Sequence, residues 1–171
     1  MVFYMQKKVF QLMVDNTSGV LSRISGLFSR RGYNIESITA GATTVDGLTR
    51  ITIVTSGDDE ILEQIEKQLA KLVDVREIKE LKADESVYRE LVLIKVKVPR
   101  EDRWRVYADA DTYRAKVIDT ASECLIIELT GAQSKIDAFI RLMEDYEILE
   151  LARTGIAGLG RGIENVTYLE A

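Results

Sequence analysis

Apolar positions along this chain recur at two periods, and the changes of period mark its elements. Val9, Phe10, Leu12, Met13 and Val14 leave little polarity in residues 8–14, which predicts a central strand covered on one face by helices. From Val20 the spacing turns helical: Val20, Leu21, Ile24, Leu27 and Phe28 share a face, while Ser22, Arg23, Ser25, Arg30 and Arg31 lie mostly off it. Arg30 and Arg31 before Gly32 suit the negative end of that helix. Gly26 inside it costs about 1 kcal/mol relative to Ala, so the close approach of a strand or another helix is expected there. Residues 33–43 and 48–55 read as two strands joined through TVDG, whose Asp46-Gly47 pair is the strongest hairpin signal in the chain. Gly57, Asp58 and Asp59 open a second helix with Ile61, Leu62, Ile65, Leu69 and Leu72 on its buried stripe, and residues 74–81 close the unit as a strand.

Strand, helix, strand, strand, helix, strand is the split βαβ, ferredoxin-like arrangement of an α+β protein, with the second strand at a sheet edge. The polar joint KADES (82–86) follows, and then the plan repeats. Residues 90–98 form a strand and 99–113 a helix with Trp104 and Tyr107 on one face, its second half weakened by the polar residues around Asp109 and Thr112. A strand pair over 115–121 and 124–130 comes next, then a helix led by Gly131 with Ile136, Phe139, Ile140 and Met143 on one face, and a last strand over 147–152. Two successive βαββαβ modules are therefore expected, residues 1–82 and 83–171. The glycine cluster TGIAGLGRG near the end precedes no helical pattern, so it reads as a flexible or docking tail rather than a phosphate cradle.

Composition narrows the chemistry. At 171 residues and 46% hydrophobic, each module can bury a core. The net charge of -5 lacks the basic face that nucleic acid requires. His is absent and Cys124 is the only cysteine, which removes His-centred acid/base work, Cys/His pairing, His/Cys metal sites and any disulfide framework. Lys7 and Lys8 interrupt the first apolar run, no small-residue cleavage site follows, and no stretch approaches a membrane-spanning helix. A cytoplasmic protein without a membrane partner is the expectation.

Candidate chemistry gathers in DNTSGVLSRISGLFSRRGYNI (15–35). Asn16, Thr17, Ser18 and Gly19 precede the helix where its first amides need capping or need something else to hold. The edge strand that follows has no Pro or Lys and one charge, Glu36, so two copies are expected to join their second strands into one sheet. That would bring the helix start of one copy near Asn34 and Ile35 of the other. The amides around Gly19 to Leu21 would face an α-carboxylate, Asn16 would serve an ammonium group, and Val20, Leu21 and Ile35 would accept an aliphatic side chain. A small neutral amino acid fits such a place, and ordinary capping is the alternative for the same residues.

Through DNTSGVLSRISGLFSRRGYNIES, LEQIEKQLAKLVDV, IDAF and ARTGIAGLGRG, the chain resembles the small, regulatory subunit of acetolactate (acetohydroxyacid) synthase over essentially all of residues 7–162. The resemblance implies an N-terminal ACT domain followed by a second ferredoxin-like domain, a homodimer through the ACT edge strands, and a separate catalytic subunit. That subunit would carry thiamine diphosphate, Mg and FAD, none of which this chain would hold. The small subunit would stimulate it and mediate inhibition by valine or a related branched-chain amino acid, with no catalytic or metal residue of its own. The family's effector site maps onto Asn16, Gly19, Asn34 and Ile35, with Val20 and Leu21 following by position. A free-standing ACT-type amino-acid sensor acting on another enzyme or regulator is the alternative. A hydrolase using Arg23 and Asn34 is disfavoured for want of an activated nucleophile or base, and an RNA-binding module for want of an exposed aromatic platform.

Overall fold

The computed structural model describes residues 6–167; what the sequence suggests for residues 1–5 lies outside them. The described residues divide into two compact units, one of residues 6–87 together with 156–167 and one of residues 88–155. The division falls a little beyond the joint expected at residue 82, and the tail from Ile156 belongs with the first unit rather than the second.

The first unit runs β1 (Gln6–Asp15), α1 (Val20–Arg31), β2 (Asn34–Ala42), β3 (Leu48–Gly57), α2 (Asp59–Leu69) and β4 (Val75–Glu80), with sheet order β2-β3-β1-β4 and every pairing antiparallel. The second runs β5 (Ser86–Lys97), a 3-10 turn, α3 (Arg103–Tyr113), β6 (Lys116–Thr120), β7 (Cys124–Gly131), α4 (Gln133–Met143) and β8 (Glu147–Arg153), with the equivalent order β6-β7-β5-β8. Both are ferredoxin-like βαββαβ modules, as the alternation of periods predicts.

In the first unit Phe10, Leu12 and Val14 of β1 and Ile51 and Ile53 of β3 meet Val20, Ile24, Leu27 and Phe28 of α1 and Leu62, Ile65 and Leu69 of α2. Each fully buried side chain of this size contributes about 1.5–3 kcal/mol. The intervening residues Val9, Gln11, Met13, Thr52 and Val54 are buried too, so β1 has the expected helices on one face and is covered on the other as well. That is why the run over 8–14 has so little polarity. On this second face the tail docks: Gln11 Nε2 donates to the Thr167 hydroxyl at 3.2 Å, that hydroxyl donates to Glu77 at 3.2 Å, and Lys79 Nζ donates to the Asn165 carbonyl at 2.8 Å. The glycine cluster forms a short strand, β9 (Ala157–Gly160), paired with β5, so the strand over 147–152 is not the last.

One local expectation is corrected. Among the described residues no strand or other helix comes within 4 Å of a Cβ placed at Gly26, which would meet Arg30 Nη1 at 3.5 Å. α3 forms within the expected span, with Val106 and Ala110 as its buried residues and Trp104 and Tyr107 exposed. That helix continues through the polar stretch to Tyr113, and the Tyr146 hydroxyl donates to Asp109 at 2.8 Å. The second core packs Val92, Ile94 and Val96 against Ile136, Phe139 and Met143. At its end Arg153 forks onto the buried Glu90 at 2.7 and 2.8 Å and reaches Asp137 at 2.9 Å.

Candidate functional site

The turn from β1 into α1 is made by Gly19, which sits at φ 85°, ψ -2° and is the N-cap of α1. No side chain among the described residues caps this helix, in contrast to α2, where Asp58 accepts from the Ile61 amide at 2.8 Å. Capping by Asn16, Thr17 or Ser18 is therefore not what these residues do here. The Asn16 amide donates to the Gly47 carbonyl at 2.7 Å, leaving its exposed side chain outside the fold. The Thr17 hydroxyl donates to Asp74 at 3.2 Å. The start of α1 is thus left without a side-chain cap, its Val20 amide donating to the Thr17 carbonyl at 3.4 Å, and a helix start of this kind suits a carboxylate.

Val20 is buried in the core at 7% exposure, whereas Leu21 remains 48% exposed beside it. Asn34 opens β2 and is exposed, its carbonyl accepting from the Thr55 hydroxyl at 2.6 Å. Ile35 is half-buried against the core. β2 is the sheet edge, and it carries one protective device that composition does not reveal. The register shifts between Ile35 and Ser37, so Glu36 is bulged, and it pairs with Lys7. Beyond the bulge the edge is regular. Thr43 donates to the Leu48 carbonyl, so in the same register the amides of Ile38, Ala40 and Ala42 face away from β3. Ile38, at the middle of the strand, is 40% exposed.

Within one chain the expected site residues fall into two groups that do not meet. Asp15 lies opposite Leu48, whereas Asn34 lies opposite Ser56. At ~3.3 Å per residue this separates the loop of Asn16 and Gly19 from Asn34 and Ile35 by about 26 Å along the sheet.

The sequence places Arg23 on the polar face of α1 but does not mark its partner, Asp74. Arg23 places Nε at 2.6 Å from Asp74 Oδ2 and Nη2 at 2.8 Å from Oδ1. The Arg23 guanidinium holds the Asp74 carboxyl below the usual carboxylate range, and the carboxylate raises Arg23 in turn. A signal for the pair does exist: a cation in the first turn of a helix opposes the dipole and calls for a nearby acid.

No described helix is long and apolar enough to cross a membrane. Among the described residues no group of His, Cys, Asp and Glu is placed to hold a metal ion.

The first βαββαβ unit is a module of the ACT type: residues 10–77 match the family model described as "AHAS small subunit-like ACT domain". Residues 89–162 match the model described as "Small subunit of acetolactate synthase". The chain belongs to the acetolactate synthase small-subunit family. It is 46% identical to the probable acetolactate synthase small subunit of Archaeoglobus fulgidus, over 91% of this chain and 98% of that protein. It is 43% identical to the acetolactate synthase isozyme 3 small subunit of Escherichia coli, over 91% and 96%. The crystal structure of the acetolactate synthase small subunit from Thermotoga maritima superposes with a TM-score of 0.85 at 41% identity, covering 92% of this chain and 98% of that one.

Proposed function

We propose that this chain is the non-catalytic regulatory subunit of a cytoplasmic acetolactate synthase. Two copies pair through β2, and a branched-chain amino acid such as valine binds between them. The bound dimer then inhibits a separate thiamine-diphosphate-dependent catalytic subunit that the free dimer stimulates. The observation that carries this reading is the separation of the two residue groups at opposite ends of one sheet. Antiparallel pairing across the outward-facing amides of β2, centred near Ile38, sets residue 34 of one copy beside residue 42 of the other. Asn34 and Ile35 of the second copy then face Asn16, Gly19 and Leu21 of the first.

In that arrangement the α-carboxylate meets the uncapped amides of α1, the ammonium group meets the Asn16 and Asn34 side chains, and the aliphatic side chain lies on Leu21 and Ile35. Inhibition follows only if the ligand prefers one state of the holoenzyme over another. Thiamine diphosphate, magnesium and flavin belong to the catalytic partner.

Calorimetry of the full chain with valine, leucine and isoleucine tests the reading directly, beside inhibition of the reconstituted holoenzyme. Asn16→Ala is expected to abolish inhibition and weaken binding at least about tenfold, the loss of a hydrogen bond to a charged group, while leaving stimulation intact. Unchanged amino-acid sensitivity would sink the site. Co-purification with a large thiamine enzyme separates this role from that of a free-standing sensor.

A further inference from the structure

The loop that carries Asn16 and Gly19 is held from one point. The Asp74 carbonyl accepts from the Asp15 amide at 2.9 Å. Its Oδ1 accepts from the Thr17 hydroxyl at 3.2 Å and from Arg23 Nη2 at 2.8 Å, and its Oδ2 accepts from Arg23 Nε at 2.6 Å. Asp74 is 8% exposed and stands immediately before β4. The end of β1, the loop and the first turn of α1 thus converge on a single residue far along the chain. Arg23 itself lies over the turn: a Cβ added at Gly19 would stand 3.1 Å from its Nη1.

For stability alone this is a poor choice of residues. A buried acid and a cation at the wrong end of a helix are typically matched or bettered by apolar packing of similar volume. What the fork supplies is direction. It fixes the guanidinium plane, and with it the space over Gly19 and the path of the backbone from Asn16 to Val20. Because the two charges offset each other, the opening of α1 carries little net side-chain charge, and the carboxylate of a ligand there meets the helix amides beside the Arg23 Nη1 that lies over Gly19. Such a place selects a zwitterion with a neutral side chain.

We infer that Asp74 is the positioning residue of the effector site, acting through Arg23 and Thr17 to hold the Asn16–Gly19 loop with the first amides of α1 aimed at the ligand. This rests on the amino-acid-binding reading given above. Asp74→Asn keeps the shape and the backbone contact but removes the charge from the fork, and Asp74→Glu returns the charge.

The experiment compares wild type, Asp74→Asn, Asp74→Glu, Arg23→Ala and the double variant Arg23→Ala/Asp74→Asn as full chains. Each is titrated with valine, leucine and isoleucine by calorimetry, and amide hydrogen exchange is followed over residues 15–22. Asp74→Asn is expected to weaken binding about tenfold or more and to speed exchange in the loop. Asp74→Glu is expected to recover part of the loss, and the double variant to lose no more than the worse single one, because the pair acts as a unit. If Asp74→Asn does not fold, Thr17→Val, at an exposed position, is expected to weaken binding several-fold. A wild type that binds while Asp74→Asn, or in its place Thr17→Val, binds equally well overturns this inference alone. A wild type that binds none of the three amino acids overturns the effector reading and this inference with it.

Discussion

Gly19 answers two demands at once. Its φ of 85° lies in the left-handed region, which costs a residue with a Cβ roughly 1–2 kcal/mol. A Cβ would also stand 3.1 Å from Arg23 Nη1 and push that side chain away. Gly19→Ala is therefore expected to lower stability by about 1–2 kcal/mol in a denaturant titration, and to weaken amino-acid binding in calorimetry beyond what that loss explains. Equal affinity would show that the loop tolerates a displaced Arg23. The glycine itself is legible in the sequence, standing between Ser18 and the first apolar residue of the helix. Asp74 is not. Its partners Arg23 and Thr17 are 51 and 57 residues away, and no local pattern reports which acid a distant arginine will meet.

At the scale of elements, side-chain period carries most of the information. Val20, Ile24, Leu27 and Phe28 have helical spacing because α1 has one buried face, and Phe10, Leu12 and Val14 alternate because they line one face of a sheet. The failures occur where burial comes from elsewhere. β9 has the sequence Ala157-Gly-Leu-Gly160, with no period to read; it is a strand because the backbone of β5 is there to pair with it. α3 defeats pattern because it buries only Val106 and Ala110, a stripe too narrow to stand out. Its second half is tied down by Tyr146, whose hydroxyl donates to Asp109. Burial first, and that hydrogen bond second, push the Tyr146 hydroxyl up to about 12 from an ordinary value of 10.0. The folded protein holds this proton more tightly than the unfolded chain. The stability it contributes is complete below pH 10 and is lost as the pH rises through about 12. Tyr146→Phe is expected to cost about 1–2 kcal/mol at neutral pH and to flatten the fall in stability between these limits. Denaturant midpoints measured across that range check both, and a slope equal to that of wild type would refute the linkage.

For the whole molecule the decisive question is the edge at β2. Composition marks it as unprotected; the structure adds the bulge at Glu36 and leaves residues 37–42 regular. Ile38 turns its amide outward, so Ile38→Pro removes a donor at the centre of the proposed pairing while sparing the ladder to β3. Sedimentation of this variant is expected to show monomers where wild type shows dimers, together with loss of amino-acid binding. A dimer that persists would refute pairing through this strand. The repeat of the βαββαβ plan was readable because each unit has its own core. The return of the tail was not, since Asn165 and Thr167 meet β1 and β4 through isolated hydrogen bonds with Gln11, Glu77 and Lys79 that leave no period in the sequence.

That return sets an order of events during synthesis. The strands and helices of the first unit leave the ribosome early and can assemble on their core. The groups that complete the hydrogen bonding of Gln11, Glu77 and Lys79 arrive only after residues 88–155 have emerged. The back of the first sheet therefore waits through the whole synthesis of the second unit, and a cut at the joint near residue 82 would strand its closing segment on the wrong fragment.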